Sequence, residues 1–258
     1  MKPLYILTRT SGRPQFFKRM RESVAALTWP GGVVHVVHAD DPRCESYIDC
    51  DILIKGEYHG DYMGDAPYNL YNNRLLKIPP AGAWVAFIDD DDEYAAPDVF
   101  EQIIDDPDAD MFVNKVQRWN DTIWPRHWLK QKSFQTECFV LDSLLAKRGK
   151  WWGDRGGDHY YTKQIVRKAN KIAWRDVLAC KAQEGKGHGK LVDIGGDEWD
   201  WNSLPPHEMV YVKMYRGGHG RHAAKLYRMS FAEAREIEKQ GLGRVTYKGE
   251  ENVFKSDK

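Results

Sequence analysis

The residues best suited to chemistry are four consecutive aspartates and a glutamate, Asp89 to Glu93, which directly follow the apolar run Trp84–Ile88. Carboxylates this close together repel one another unless a cation or a basic partner joins them. Oxygen ligands of this kind suit Mg²⁺ or Mn²⁺, ions that usually share their coordination shell with substrate phosphates. The cluster therefore predicts a divalent-metal site, and the alternative interpretation is a solvated acidic turn.

The elements that must position this cluster follow from the hydrophobic pattern. The run Trp84–Ile88 is uninterrupted and rich in aromatic and β-branched residues, which is typical of a strand buried on both faces of a parallel sheet. Leu4–Leu7 and Val33–Val37 have the same character and flank a helical pattern over residues 16–27. Strand, helix and strand with short loops predict an α/β fold, in which ligands bind at the carboxyl ends of the strands.

The same alternation continues along the chain. A tryptophan-rich loop or hairpin is expected over Trp119–Trp128, and glycines interrupt the pattern around residue 156. Further strands are predicted at Ile52–Ile54, Met111–Val116, Phe139–Leu141 and Ile172–Cys180, and further helices at Tyr68–Ile78, Pro97–Ile104, Asp142–Lys147, His159–Ala169 and Phe231–Gln240.

The composition limits the function classes. The chain of 258 residues has a formal net charge of zero, which gives no overall electrostatic reason to expect a nucleic acid or a membrane as partner. Its apolar content of 42% indicates a globular chain. The four cysteines show no C-x-x-C spacing, no apolar run approaches the roughly 18 residues of a membrane span, and no signal peptide is evident. We therefore expect a cytoplasmic protein without a membrane span.

Four short motifs follow one another along the chain. They are L-T-R-T-S-G-R-P after the first strand, V-H-A-D-D after the second, N-N-R before the strand F-I-D-D-D-D, and G-G-D-H-Y-Y at a later helix. Their order and spacing resemble those of the GT-A glycosyltransferases, and most closely those of family 2. The resemblance implies a GT-A fold, an α/β structure with a mostly parallel, twisted central sheet flanked by helices. It also implies one transferase domain over residues 1–204, with a basic and helical extension over residues 205–258 that packs on the same domain.

The implied activity is the transfer of a sugar from a nucleotide-diphosphate sugar to a hydroxyl group of a carbohydrate or other acceptor, helped by Mn²⁺ or Mg²⁺. The family's D-x-D motif matches Asp89 and Asp91. By that match Asp91 binds the metal, and Asp89 or Asp90 faces the ribose or a metal-bound water. Because the run of aspartates leaves the register open by one residue, Asp92 remains a candidate.

Several residues match the places where the family holds the nucleotide. Asp40 corresponds to an aspartate that accepts the uracil N–H, which favours a UDP-sugar, although it equally suits a turn-capping residue. Thr8 and Arg9 fall in the loop expected after the first strand, where the family holds the base and the ribose. Asn73 and Arg74 correspond to an Arg-Asn pair, in reversed order.

Asp158, which follows two glycines at the start of a predicted helix, is the candidate residue that acts on the sugar acceptor. An inverting transferase needs a carboxylate that removes the proton of the acceptor hydroxyl, and the resemblance assigns this role to Asp158, with Asp154 as its rival. The alternative for Asp158 is a helix N-cap. Trp151 and Trp152 offer apolar faces on which an acceptor ring can stack, and the alternative for both is a place in the core.

The third metal ligand is assigned by the resemblance to His188, which lies in a glycine-flanked loop. A lone loop histidine is more often a surface residue, and His207, His219 and His222 are its competitors.

The segment Lys213–Arg228 contains five basic residues and no acidic one. It is expected to form a lid over the diphosphate of the sugar donor, with Arg216 or Arg221 donating hydrogen bonds to the phosphate oxygens, or to be a solvated surface. A DNA backbone as its partner is the less favoured alternative and would make the enzyme a DNA-modifying glycosyltransferase. A metal-dependent phosphohydrolase is the alternative from another class, because a strand followed by D-x-D also opens such sites.

Overall fold

The computed structural model describes residues 1–10, 14–39, 42–55, 67–118, 121–125, 134–153 and 156–182, together with the strands 209–214, 225–230 and 243–246. The chain divides into two compact units, Met1–Asp197 and Glu198–Lys258. The expected helix Phe231–Gln240 lies outside the described residues.

The first unit is built on a sheet of nine strands in the order β3-β2-β1-β4-β8-β6-β9-β5, with β7 paired to β6. The apolar runs of the sequence become its central strands, and the four residues of β4 are all buried, as expected for a strand covered on both faces. The strands are β1 Leu4–Thr10, β2 Val33–Ala39, β3 Ile52–Lys55, β4 Trp84–Phe87, β5 Glu93–Tyr94, β6 Met111–Gln117, β7 Ile123–Trp124, β8 Phe139–Asp142 and β9 Ile172–Lys181.

The sheet is parallel in one half and mixed in the other. Strands β1, β2, β3 and β4 pair in parallel, which confirms the crossover inferred from the sequence. Strand β8 runs antiparallel between β4 and β6, β9 is parallel to β6, and the short β5 is antiparallel to β9. The α/β architecture is as predicted, whereas the mostly parallel pairing holds only for the half that contains β1 and β4.

The helices are shorter than the sequence pattern suggested, apart from the first. Helix α1, Pro14–Ala25, begins at a proline, a residue that suits the first position of a helix, and it buries Phe17, Met20 and Val24. The segment expected as one helix over Tyr68–Ile78 is a 3₁₀ turn, Pro67–Leu70, followed by the short α2, Tyr71–Leu75. The remaining helices are α3 Val99–Ile103, α4 Ser143–Ala146 and α5 Gly157–Val166, and further 3₁₀ turns are Pro42–Ser46 and Thr136–Cys138.

An aromatic cluster fixes α5 against the sheet. The ring of Trp151 stacks on that of Tyr161 with centroids 4.7 Å apart, and it lies 5.7 Å from the ring of Phe87 on β4. The hydroxyl of Tyr161 donates a hydrogen bond of 2.9 Å to the carbonyl of Ala146. Because these side chains are buried, the start of α5 has a defined position relative to the end of β4.

The second unit contains a three-stranded antiparallel sheet in the order β11-β10-β12. Its strands are β10 Met209–Met214, β11 Lys225–Ser230 and β12 Gly243–Thr246. Among all the described residues, no helix has the length and apolarity needed to cross a membrane.

Candidate functional site

The acidic cluster lies where the sequence predicted it, at the carboxyl end of β4. The amide of Ile88 donates to the carbonyl of Leu7 at 3.1 Å, which extends the contact between β4 and β1 by one residue. The chain then turns, and the amide of Asp92 donates to the carbonyl of Asp89 at 3.1 Å. The turn keeps the four aspartates together at the edge of the sheet where α/β proteins bind ligands.

Arg9 is a basic partner of this acidic cluster. Its Nε and Nη2 atoms donate to the two carboxylate oxygens of Asp89 at 3.0 and 3.1 Å, and its Nη1 atom donates to Asn69 Oδ1. Both members of the ion pair are partly buried. A guanidinium that holds a carboxylate through two parallel bonds fixes both its charge and its orientation.

The next aspartates have different surroundings. Asp90 is fully buried and accepts a hydrogen bond of 2.7 Å from the hydroxyl of Thr10. The carbonyl of Asp91 accepts a bond of 3.0 Å from Arg19 Nη2, and the Asp91 side chain is largely buried. Asp92 is buried and helps to raise the pKa of Tyr94, which burial raises most.

Across the described part of the chain, no three His, Cys, Asp or Glu side chains are grouped so as to hold a metal ion. The carboxylates of Asp89 and Asp91 do supply the hard oxygen ligands that Mg²⁺ or Mn²⁺ prefers. Their donor chemistry therefore fits such an ion, and the metal site stays a prediction.

Asp158 lies in the first turn of α5, and the N-cap position belongs to Gly156. Burial raises the pKa of Asp158, and the nearby charge of Asp89 raises it further. Arg9 and a hydrogen bond with Thr136 oppose this increase. The charges of Arg9 and Asp89 thus act on Asp158, which makes Asp158 part of the same candidate site as the cluster after β4.

Glu137 is a third carboxyl group of this site, and sequence reasoning missed it. It lies in the 3₁₀ turn before β8 and is buried. Burial raises its pKa well above the usual range, and the charges of Asp89 and Asp158 add to the increase, whereas Arg9 opposes it. The signal that could have found Glu137 is a single acid inside the otherwise uncharged run F-Q-T-E-C-F-V-L.

Thr8 lies in the core and not in a loop, because β1 continues to Thr10. Its hydroxyl lies 3.1 Å from His35 Nε2 and 4.0 Å from Met20 Sδ, and the residue is fully buried. Side chains alternate along a strand, so Thr8 packs beneath α1 while Arg9 reaches the site. The expectation that the Thr8 hydroxyl contacts the nucleotide is therefore wrong, because this hydroxyl is buried in the core.

Asn73 and Trp151 have structural roles. The side-chain amide of Asn73 donates to the carbonyl of Trp151 at 3.1 Å and accepts from the amide of Trp151 at 2.9 Å. This pair of bonds holds the segment before α5. The ring of Trp151 is fully buried, so the expectation that an acceptor stacks on it is wrong, whereas Trp152 is 50% exposed and stays a prediction.

Arg74 lies beside the carboxyl end of β2, next to two aromatic residues that the sequence did not single out. The ring of His38 stacks on that of Tyr71 with centroids 4.3 Å apart, and its Nε2 atom lies 3.0 Å from Arg74 Nη1. Burial lowers the pKa of His38 to about 4, and the charge of Arg74 lowers it as well. His38 is therefore neutral near pH 7 and accepts the hydrogen bond from Arg74.

Some of the predicted site residues lie outside the described residues. They are Asp40, Asp154, His188, His207, Arg216, His219, Arg221 and His222.

No family model and no curated protein sequence matches this chain. Solved structures do. Residues 1–349 of S. aureus TarS align with a TM-score of 0.56 at 18% identity, over 70% of this chain and 60% of that one. The same TarS fragment in complex with UDP-GlcNAc aligns with a TM-score of 0.55 at 18% identity, over 80% of this chain and 63% of that one.

A further match is the mannosyltransferase PcManGT from Pyrobaculum calidifontis in complex with GDP-Man and Mn²⁺, with a TM-score of 0.52 at 17% identity, over 71% of this chain and 57% of that one. This chain thus spans less than two thirds of each of these structures. Identities this low establish the architecture. The chain has the α/β fold of the GT-A glycosyltransferases.

Proposed function

We propose that this chain is a metal-dependent glycosyltransferase that moves a sugar from a nucleotide-diphosphate sugar to a hydroxyl acceptor. The observation that carries the proposal is the position of Arg9, which pairs with Asp89 at the end of β4 and opposes the increase in the pKa of Asp158 on α5. One site thus contains the acidic cluster suited to the donor and a carboxyl group suited to the acceptor. The complexes of similar folds with UDP-GlcNAc and with GDP-Man and Mn²⁺ support the substrate class.

Asp91 is the favoured metal ligand within the cluster. Asp91 matches the second aspartate of the D-x-D motif, and its largely buried side chain lies in the turn after β4 with Asp89 and Asp90. Asp89 then faces the ribose or a metal-bound water, and His188 would be the third ligand. A divalent ion held there supplies Lewis-acid stabilisation of the diphosphate leaving group.

Asp158 is the proposed general base of an inverting transfer. As the bond from sugar to phosphate breaks, the Asp158 carboxylate removes the proton of the attacking hydroxyl. Burial raises the pKa of this carboxyl group, which increases its basicity once it is ionised. The half-exposed ring of Trp152, six residues earlier, is the surface on which we expect an acceptor to stack.

UDP is the favoured donor nucleotide, because Asp40, which directly follows β2 in the sequence, matches the aspartate that accepts the uracil N–H. The same end of β2 carries His38, which forms a hydrogen-bonded pair of 3.0 Å with Arg74. Arg74 therefore remains a candidate for the nucleotide, whereas Asn73 acts through the backbone of Trp151.

The proposal is tested by measuring UDP and GDP release from a panel of nucleotide sugars with Mn²⁺, with Mg²⁺ and with EDTA. We expect metal-dependent release from a UDP-sugar, including slow hydrolysis when water is the only acceptor. Inorganic phosphate release from simple phosphate esters, with no nucleotide release from any sugar donor, would instead support the phosphohydrolase alternative.

A further inference from the structure

The register of the antiparallel sheet in the second unit assigns three of the four Lys and Arg residues of its strands to one face. Residues directly opposite one another in such a sheet share a face, and the face alternates along each strand. Tyr211 on β10 is opposite Arg228 on β11 and Thr246 on β12. Lys213 is opposite Leu226 and Arg244 in the same way. We call the face that contains Tyr211, Lys213, Arg228 and Arg244 the basic face.

The opposite face is mainly apolar. Val212 is opposite Tyr227 and Val245, and Val210 is opposite Met229. Lys225, opposite Met214, is the single charged residue that the register assigns to this face. The three strands contain no Asp or Glu, although the remainder of residues 198–258 contains many. The cations are therefore concentrated on one face by the register and not by the overall composition.

The sequence extends this positive charge beyond the strands. No acidic residue occurs between positions 209 and 232, and the connection between β10 and β11 carries Arg216 and Arg221. A concentration of cations without acids binds polyanions, because each neutralised phosphate releases condensed counterions.

The tyrosine among the cations narrows the class of polyanion. Proteins that bind single-stranded nucleic acids combine cations along the backbone with aromatic rings on which bases stack. A duplex keeps its base faces inside the helix, and a polyanion without bases has nothing to stack. In the register Tyr211 is opposite Arg228, and Lys213 lies two positions further along β10 on the same face.

We propose that the basic face binds a single-stranded nucleic acid. The proposal concerns the second unit and does not depend on the sugar-transfer chemistry proposed for the first. If both are correct, the nucleic acid is bound by the same chain that carries the transferase site.

Fluorescence anisotropy of the full chain with labelled single-stranded DNA and RNA of mixed sequence tests this proposal. The triple variant Lys213→Gln/Arg228→Gln/Arg244→Gln should bind more weakly. Its plot of log affinity against log salt should lose about two units of slope, because each single-strand phosphate contact contributes about 0.7. Tyr211→Leu should weaken binding about five-fold or more while the slope stays unchanged.

Lys225→Gln is the matched control, because it removes one cation from the same strand as Arg228 but from the opposite face. It should leave affinity and slope near wild type, and the single variant Arg228→Gln replaces the triple variant if the latter fails to fold. Nucleotide release measured on the same variants separates this result from the transferase proposal.

Three outcomes would overturn the inference. The first is that the chain does not bind single strands at low salt. The second is that Lys225→Gln and Arg228→Gln lose the same amount of affinity for single strands. The third is that the chain binds heparin as tightly as single strands and that Tyr211→Leu does not change the affinity. The last outcome would show a general attraction for polyanions only.

Discussion

The side chain of Arg9 joins two neighbouring strands by forming two hydrogen bonds, of 3.0 and 3.1 Å, with the carboxylate of Asp89. The two residues are 80 positions apart in the sequence and come together because β1 and β4 are parallel neighbours whose carboxyl ends meet. The same guanidinium opposes the increase in the pKa of Asp158 and of Glu137. The charge of Arg9 thus acts on three carboxyl groups, those of Asp89, Glu137 and Asp158.

Arg9→Met should change the pH dependence of nucleotide release. Since the charge of Arg9 lowers the pKa of Asp158, its loss raises that pKa, and the carboxylate form that acts as a base appears only at higher pH. The acid limb of the pH–rate profile should therefore move to higher pH. Arg9→Lys keeps the charge and should leave the limb close to wild type.

Arg21→Met is the matched control for this experiment. Arg21 forms a 3.0 Å ion pair with the exposed Asp49, away from the three carboxyl groups. Its loss should leave the profile unchanged. An acid limb that does not move in Arg9→Met would show that Asp158 is not the group that controls the rate.

The free energy of unfolding of Glu137→Gln, measured relative to wild type, should be higher at alkaline pH than at acidic pH. The pKa of Glu137 is raised in the folded state, so the folded protein binds a proton that the unfolded chain releases above pH ~4.3. The free energy of unfolding of the wild type therefore falls as pH rises from the unfolded to the folded pKa, by about 1.4 kcal/mol for each pH unit between them. Glutamine mimics the protonated acid and removes this loss.

Urea unfolding at pH 5 and pH 8, with EDTA present, measures the effect. Glu22→Gln is the control because Glu22 is an exposed residue of α1. A difference between wild type and Glu137→Gln that is the same at both pH values would contradict the raised pKa.

The sequence predicted the parts of the site that depend on local pattern. Trp84–Phe87 is apolar at every position because both faces of β4 are buried, and the change to four aspartates marks the edge of the sheet. The positions of β1, α1 and β2 follow from short repeats of the same kind. Asp158 was singled out because a glycine-rich break precedes its helix, and its role stays a prediction.

The remainder depends on contacts between distant segments. The periodicity of the sequence does not show that Arg9 pairs with Asp89, or that Glu137 lies near these two residues. Glu137 comes near them because β8, which follows its turn, lies between β4 and β6 in the sheet. Thr8 and Trp151 were misassigned for the same reason. Their residue types suit a ligand site as well as a core, and only the packing against Met20 and Tyr161 distinguishes the two.

Trp151→Ala and Trp152→Ala should therefore have opposite phenotypes. Removal of the buried Trp151 ring leaves a cavity next to Tyr161 and Phe87, and should lower the free energy of unfolding by about 3 to 5 kcal/mol. Trp152 is 50% exposed, and its removal should change stability little but raise the KM for a sugar acceptor. Equal loss of stability in both variants, measured by urea unfolding, would contradict this division.

Asp91→Ala should abolish the increase in melting temperature that UDP produces in the presence of Mn²⁺ while the protein stays folded. The expectation rests on the place of Asp91 in the cluster after β4 and on its match to the second aspartate of the D-x-D motif. Asp176→Ala removes a fully solvated carboxylate of β9 and should behave as wild type. If UDP stabilises the wild type equally with EDTA and with Mn²⁺, the assignment of a metal to Asp91 is wrong.

Asp158→Asn should separate chemistry from donor binding. The substitution keeps the size of the side chain and its hydrogen bond with Thr136 but removes the basic oxygen, so the affinity for UDP with Mn²⁺ should stay within a few-fold of wild type. Turnover on a sugar acceptor should fall by about 100-fold or more, the usual contribution of a general base. The residual rate should also lose the acid limb of the wild-type pH profile, because the group that titrates is gone. Near-normal turnover in Asp158→Asn would transfer the role to Asp154, and Asp154→Asn is the variant that decides between the two.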